Sequence, residues 1–445
     1  MNEGDSRVNA AAAEAAAAAH PLPPQPSPRG PRELAPLIGR LKDRKVVLLG
    51  EATHGTAEFY LWRRLITEWL VVRHGFRFVA VEGDWPACAE FVRRNEAGHA
   101  ARPALEAFHR WPTWMWANTE MVRLGDWMRT WNATRACRLE TPAGFHGLDV
   151  YSLFESIHAV LEEARRIDPS LAHELRSRYA CFAPFQGDER GYARSLFEMP
   201  EGCEDAATEA LLAALRVRGA SRPEVFDLQQ NARIVRNAER YYRTMIHADE
   251  ASWNVRDRHM LETLDELFDH YGNDSKAVVW AHNTHVGDYR ATDMIQQGLV
   301  NLGGLARQEY GRDAVAIVGF GTHEGEVIAA HAWEGPFEKM PVPPALPFSL
   351  EAALHSACRS LGCGALALLS DDLPPGESVL RGEMLPNRAI GVVYDPRHER
   401  FGNYVPTRMG ERYDAFIFID RTTALEPLVT GFDSREMPET WPRGA

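Results

Sequence analysis

From Leu41 onward, short apolar or β-branched runs alternate along the chain with longer amphipathic stretches. Strands that cross over through helices into a sheet read this way, so the pattern predicts an α/β fold: a largely parallel central sheet flanked by helices. The strands predicted are Val46 to Leu49, Phe78 to Val81, Gly144 to Leu148, Ala277 to Ala281, Ala314 to Gly319, Ala365 to Leu369, Ala389 to Tyr394 and Ala415 to Ile419. Their uniform apolarity fits strands covered on both faces. Residues from about Ser152 to Asp269 break the pattern, with long helical periodicities and no convincing strand. In Asn231 to Met245, for instance, Ile234, Val235, Ala238, Tyr241, Tyr242 and Met245 recur at intervals of three and four. The reading is one catalytic domain over 33–445, within which 152–269 is an all-helical insertion or lid. Ahead of it, the tract from Ala10 to Ala19 and Pro21, Pro23, Pro24, Pro26 and Pro28 suggest a disordered extension over residues 1–32.

Charge and cysteine content narrow the function class. The net charge is −13, and residues 1–32 add nothing to it, since Glu3, Asp5 and Glu14 balance Arg7, Arg29 and Arg32. An acidic surface repels phosphate backbones and anionic lipid, so neither nucleic acid nor a membrane is expected as a partner, and a small-molecule substrate is. Six cysteines without a CxxC pair suit reduced thiols and a cytoplasmic setting. No apolar run approaches the roughly eighteen residues of a spanning helix. Glu14 interrupts the Ala tract, which also lacks the basic start of a secretory signal. Oligomeric state is not legible.

Chemistry gathers where strands end, the edge at which open parallel sheets bind ligands. The first strand runs into Gly50-Glu51-Ala52-Thr53-His54-Gly55-Thr56; a helix starting near Thr53 would put His54 in or near its first turn. The second ends in Glu82-Gly83-Asp84, and the strand at 277–281 in His282-Asn283-Thr284-His285. A lone histidine or glutamate at such a place is most often structural. Five ionisable groups on three strand ends of one sheet are another matter, because burying them together is costly unless they are paired or used. No Gly-x-Ser-x-Gly elbow, phosphate loop, dinucleotide fingerprint or HExxH helix competes with this set.

Gly50 to Phe59, Arg63, Gly75-Phe76 and Val81-Glu82-Gly83 together resemble the opening of the erythromycin esterase family. Arg110 to Glu120, Gly147-Leu148-Asp149, Ser252 to Met260, Trp280 to Asp288, Arg388 to Tyr394 and Phe416 to Asp420 resemble it too, so the likeness spans roughly residues 34 to 428. The resemblance implies hydrolysis of a macrolactone ester by water, without a covalent serine intermediate and without a cofactor. Carried over by position, His54 would be the general base, Glu51 and Glu82 would orient it or the water, and His282 and His285 would complete the catalytic set. Arg63, nine residues beyond His54, would lie two and a half turns along the same helix and pair with a site carboxylate. Trp114, Trp116, Asn118 and His259 are candidate substrate contacts, although tryptophans at the spacing of Trp111, Trp114 and Trp116 more often belong to a core.

Three further readings remain at this point. The same imidazoles and carboxylates could form a divalent-metal shell in a metal-dependent hydrolase, or the chain could be a homologue acting on some other small molecule. A ligand-binding protein that keeps the cleft without turnover is the reading from another class.

Overall fold

The computed structural model describes residues 3–23, 32–108, 110–137, 142–185, 187–219, 222–246, 249–374 and 378–429. It divides into two compact units: one of residues 1–79, 94–144 and 276–445, the other of 80–93 and 145–275. Among the described residues there are eleven strands: β1 (Ala19–Leu22), β2 (Val46–Leu49), β3 (Phe76–Val81), β4 (Gly144–Gly147), β5 (Lys276–Trp280), β6 (Val315–Ala330), β7 (Phe337–Val342), β8 (Ala365–Leu369), β9 (Leu385–Arg388), β10 (Tyr404–Thr407) and β11 (Ala415–Thr422).

The sheet of the first unit runs in the order β1-β8-β11-β6-β2-β5-β3, with β7 added alongside β6. Its centre is parallel: β2 pairs with both β5 and β6, and β6 with β11. The pairings of β8 with β11 and β1, and of β7 with β6, are antiparallel. Every residue of β2 and β8 is buried, as expected of strands covered on both faces. Among the described residues, no helix is long and apolar enough to cross a membrane.

Three expectations are revised. Residues 3–22 are ordered as the helix Glu3–Ala18 and β1. Alanine is the strongest helix former, and Val8, Ala11 and Ala15, at helical spacing, are buried as this helix packs on Leu350–Leu361. Glu14, which breaks the apolar tract in sequence, accepts hydrogen bonds from the backbone N–H groups of Val379 and Leu380 and the Ser378 hydroxyl. The remainder of the expected extension, Pro24 to Pro31, lies outside the described residues. Ala389 to Tyr394 is not a strand. The ladder falls on β9 just before it, and Ile390 and Val393 make only isolated bridges, to Thr53 and Ala330. Cys181 and Cys203 are disulfide-bonded rather than reduced, while Cys88, Cys137, Cys358 and Cys363 are not in disulfides.

The second unit is dominated by helices, among them Leu153–Ile167, Pro169–Arg178, Glu204–Leu215, Pro223–Met245 and Asp249–Tyr271. Its β4 joins the end of β3, where the Leu148 N–H donates to the Val81 carbonyl. Along Pro223–Met245, Ile234, Val235, Ala238, Tyr241 and Tyr242 are buried as the periodicity predicts and Met245 is half-buried, but polar residues such as Gln230, Asn231 and Glu239 are buried too, so the helix is covered on more than one face.

Candidate active site

At the end of β2 the chain leaves the sheet through a turn held almost entirely by its backbone. The Gly50 N–H donates to Val318 O, and the carbonyls of Glu51 and Ala52 accept from the N–H groups of Asn283 and Ile390. The Gly55 carbonyl accepts from both Ile328 and Leu425. A Cβ at Gly50 would lie 2.1 Å from Asn283 Oδ1, and one at Gly55 2.0 Å from the Ile328 carbonyl oxygen, so neither position admits a side chain without moving its neighbour. The two bonds to the Gly55 carbonyl hold a residue that a helix starting near Thr53 would include. The helix accordingly begins at Ala57, four residues late, and Arg63 is its seventh residue rather than two and a half turns beyond His54.

The turn delivers a linear arrangement of charge. Glu51 Oε1 accepts from His54 Nδ1 at 3.0 Å, and Oε2 accepts from Arg63 Nη2 at 2.6 Å. The guanidinium is held in turn by two aromatic faces, 4.3 Å from the Tyr60 ring centre and 4.8 Å from that of Trp280. With Nδ1–H committed to the carboxylate, a neutral His54 carries its lone pair on Nε2.

At the end of the neighbouring β5, His282 caps the single turn Asn283–Val286. Its Nδ1 accepts from the Thr284 N–H at 3.3 Å and lies 2.8 Å from the Thr284 hydroxyl. Because Nδ1 is the acceptor, a neutral His282 carries its proton on Nε2. The two rings lie 4.8 Å apart between centres, tilted by 39°. Two adjacent imidazoles are thus fixed in opposite tautomers, one presenting a lone pair and the other an N–H. Asn283 anchors this turn by exchanging hydrogen bonds with the Phe320 backbone on β6. Glu51, His54, His282 and His285 are each at most 3% exposed, so their interactions act away from bulk water.

Glu82 belongs to the second unit and forms a different cluster there. Arg256 Nη2 donates to Glu82 Oε1 and to Asp149 Oδ2, each at 2.7 Å, while its Nε donates to Asp149 Oδ1 at 2.9 Å. Neither Arg256 nor Asp149 was picked out from the sequence as a site residue, although both lie inside motifs shared with the family, which was the available signal. His259, also in this unit, is fully buried. Its Nδ1 accepts from Asn237 at 2.7 Å, its Nε2 faces the Asp149 carbonyl at 3.3 Å, and burial lowers its pKa to about 4.

The remaining candidates split between packing and capping. Trp114 is wholly buried between Trp111 and Phe337, at 5.5 and 5.0 Å between ring centres, and Trp116 is also buried. Asn118 caps the helix Thr119–Ala136: its Oδ1 accepts from the Met121 N–H, and its amide donates to the Trp114 and Met115 carbonyls. That leaves no hydrogen on the Asn118 amide for a substrate. As for a metal, both oxygens of Glu51 are engaged by His54 and Arg63. Among the described residues, no three His, Cys, Asp or Glu side chains are grouped so as to hold one.

The erythromycin esterase family model matches residues 71–422. The chain belongs to the erythromycin esterase family. YbfO of Bacillus subtilis (strain 168), whose name assigns it provisionally to the hydrolases, is 21% identical over 434 residues, covering 91% of this chain and 90% of its own. A crystal structure of a Bacillus cereus protein superposes with a TM-score of 0.78 at 21% identity, over 94% of this chain and 99% of that one. The corresponding figures for a succinoglycan biosynthesis protein are 0.76, 19%, 96% and 99%. A histidine-to-asparagine mutant of the erythromycin esterase EreC, in its open conformation, gives 0.60 at 17% identity, over 88% of this chain and 94% of that one. The span matched by the family model starts after His54 and Arg63 and does not include the β2 turn.

Proposed function

We propose that the protein is a hydrolase that uses His54 to activate water for attack on a carboxylic ester or lactone. The observation that carries this reading is the pair of opposed tautomers, His54 on the Glu51 carboxylate and His282 4.8 Å away. His54 Nε2 takes a proton from water as the water oxygen bonds to the carbonyl carbon, and the C=O electron pair moves onto oxygen. The developing oxyanion accepts a hydrogen bond from His282 Nε2–H, with His285 on the same turn as a second donor. Collapse breaks the C–O bond, and the imidazolium of His54 returns its proton to the leaving alkoxide. Glu51 fixes the His54 tautomer and stabilises the imidazolium, while Arg63, pinned between two rings, keeps the carboxylate in place.

Macrolide turnover, and antibiotic resistance with it, is the finer form of the same reading and rests on the family and on EreC. A cytoplasmic location is also part of it, against which the Cys181–Cys203 bond is the one contrary feature. The test is to incubate the purified chain with 14-membered macrolides, simple lactones and aryl esters, with and without a chelator, and to follow addition of one water by mass. Turnover that survives chelation and is lost in His54→Asn is the expected outcome. Hydrolysis of none of these, or full activity in His54→Asn, overturns the proposal.

A further inference from the structure

Within the second unit, the helices Pro223–Met245 and Asp249–Tyr271 enclose a cavity of about 250 Å³. Three arginines line it, Arg236 and Arg240 from one helix and Arg258 from the other, against a single carboxylate, Glu262. That carboxylate is already engaged: Glu262 Oε1 lies 3.3 Å from Arg236 Nη2, and Oε2 accepts from the Asn237 amide at 2.7 Å. Arg240 and Arg258 are exposed, and among the described residues neither is paired with a carboxylate. The floor is polar. Asn237 and His259 are buried and bonded to one another, and His259, with its pKa held at about 4 by burial, adds no charge at neutral pH.

In a chain of net charge −13, two guanidinium groups lining one small cavity, neither paired with a carboxylate among the described residues, are a local reversal of sign. A ligand bearing two or more negative charges can meet both planar forks bidentately and offset their like charge. The cavity lies just below the usual range for drug-sized ligands, which suits a compact anion rather than a large apolar molecule. We propose that this cavity binds a small multivalent oxyanion, the shared chemistry of a phosphate monoester and a short dicarboxylate. The site is independent of the hydrolytic reading, since none of its reasoning uses His54 or His282.

The intact chain is titrated with inorganic phosphate and, separately, with malonate, at constant ionic strength set by chloride. Binding is followed by calorimetry and by the rise in melting temperature. A saturable rise with either anion is expected in the unmodified chain. Binding at least tenfold weaker is expected in Arg240→Gln/Arg258→Gln, and a smaller loss in Arg240→Gln alone. Because both arginines are exposed, the double variant should melt cooperatively in chloride, at or above the temperature of the parent. Phosphate tighter than malonate assigns the phosphate monoester, and the reverse order assigns the dicarboxylate. Equal, non-saturating rises in parent and variant would be a general salt effect and would overturn the site, as would absence of binding by both anions.

Discussion

Two buried histidines, one in each unit, show what a neighbour does to an imidazole. His54 has a carboxylate on Nδ1, whereas His259 has an amide on Nδ1 and a backbone carbonyl by Nε2. The amide donates, so Nδ1 of His259 must stay a lone pair, and with no carboxylate in hydrogen-bond contact burial holds the ring neutral down to about pH 4. A carboxylate instead accepts the Nδ1 proton, turns the lone pair outward on Nε2 and compensates the charge that arrives when the ring is protonated. Burial alone therefore does not mark a catalytic base. The partner decides which ring nitrogen keeps the lone pair.

The sharpest way to break this contrast is His54→Asn. With any ester or lactone that the protein hydrolyses, kcat/KM is expected to fall about a hundred- to ten-thousand-fold with little change in circular dichroism. Activity within a few-fold of the parent would put the two histidines in the same class. Next is Arg63→Leu, which leaves Glu51 buried with its counter-charge removed. Urea denaturation should show a loss of about 3–5 kcal/mol, and a loss under 1 kcal/mol would mean that the arginine does not hold the carboxylate.

His259 gives the pH-dependent half of the comparison. Its value in the fold lies below that of an unfolded imidazole, so the stability it contributes is complete above about pH 6.5 and is lost as pH falls towards 4. That loss is on the order of 3 kcal/mol at full effect. The pH profile of the unfolding midpoint should flatten over this window in His259→Gln, and an unchanged profile would show that another group titrates there. The smallest effect concerns the hydroxyl beside His282. Thr284→Val keeps the backbone N–H on Nδ1, so a cost of about 1 kcal/mol and far less loss of turnover than in His54→Asn are expected. A loss of turnover equal to that of His54→Asn would make the hydroxyl, not the backbone, the group that sets the tautomer.

What could be read from the chain follows the range of the forces involved. The central strands are visible because runs such as Val46 to Leu49 and Ala365 to Leu369 are apolar on both faces, a local property. The shift of the helix start from Thr53 to Ala57 is invisible locally, since Ala52, Gly55 and Ala57 bond to Ile390, to Ile328 and Leu425, and to Thr423. Ala389 to Tyr394 misleads for the same reason: its backbone makes only isolated bridges to Thr53 and Ala330, while Ile390 and Tyr394 join a core cluster with Val327, Ala329, Met340 and Val342. At the site, the ionisable residue types were legible from strand-end position, and the His54 and His282 turns do come together. The pairing of Arg63 with Glu51 had been expected in kind, but the joint grip of Arg256 on Glu82 and Asp149 needed a partner more than a hundred residues away.

The turn after β2 borrows its hydrogen bonds from segments as distant as Leu425. On a ribosome, residues 50–56 emerge well before Asn283, Val318, Ile328, Ile390 and Leu425, whose contacts give them their shape. The histidine therefore waits, without its setting, until those distant segments have been made, and competence to act on a substrate arrives only then.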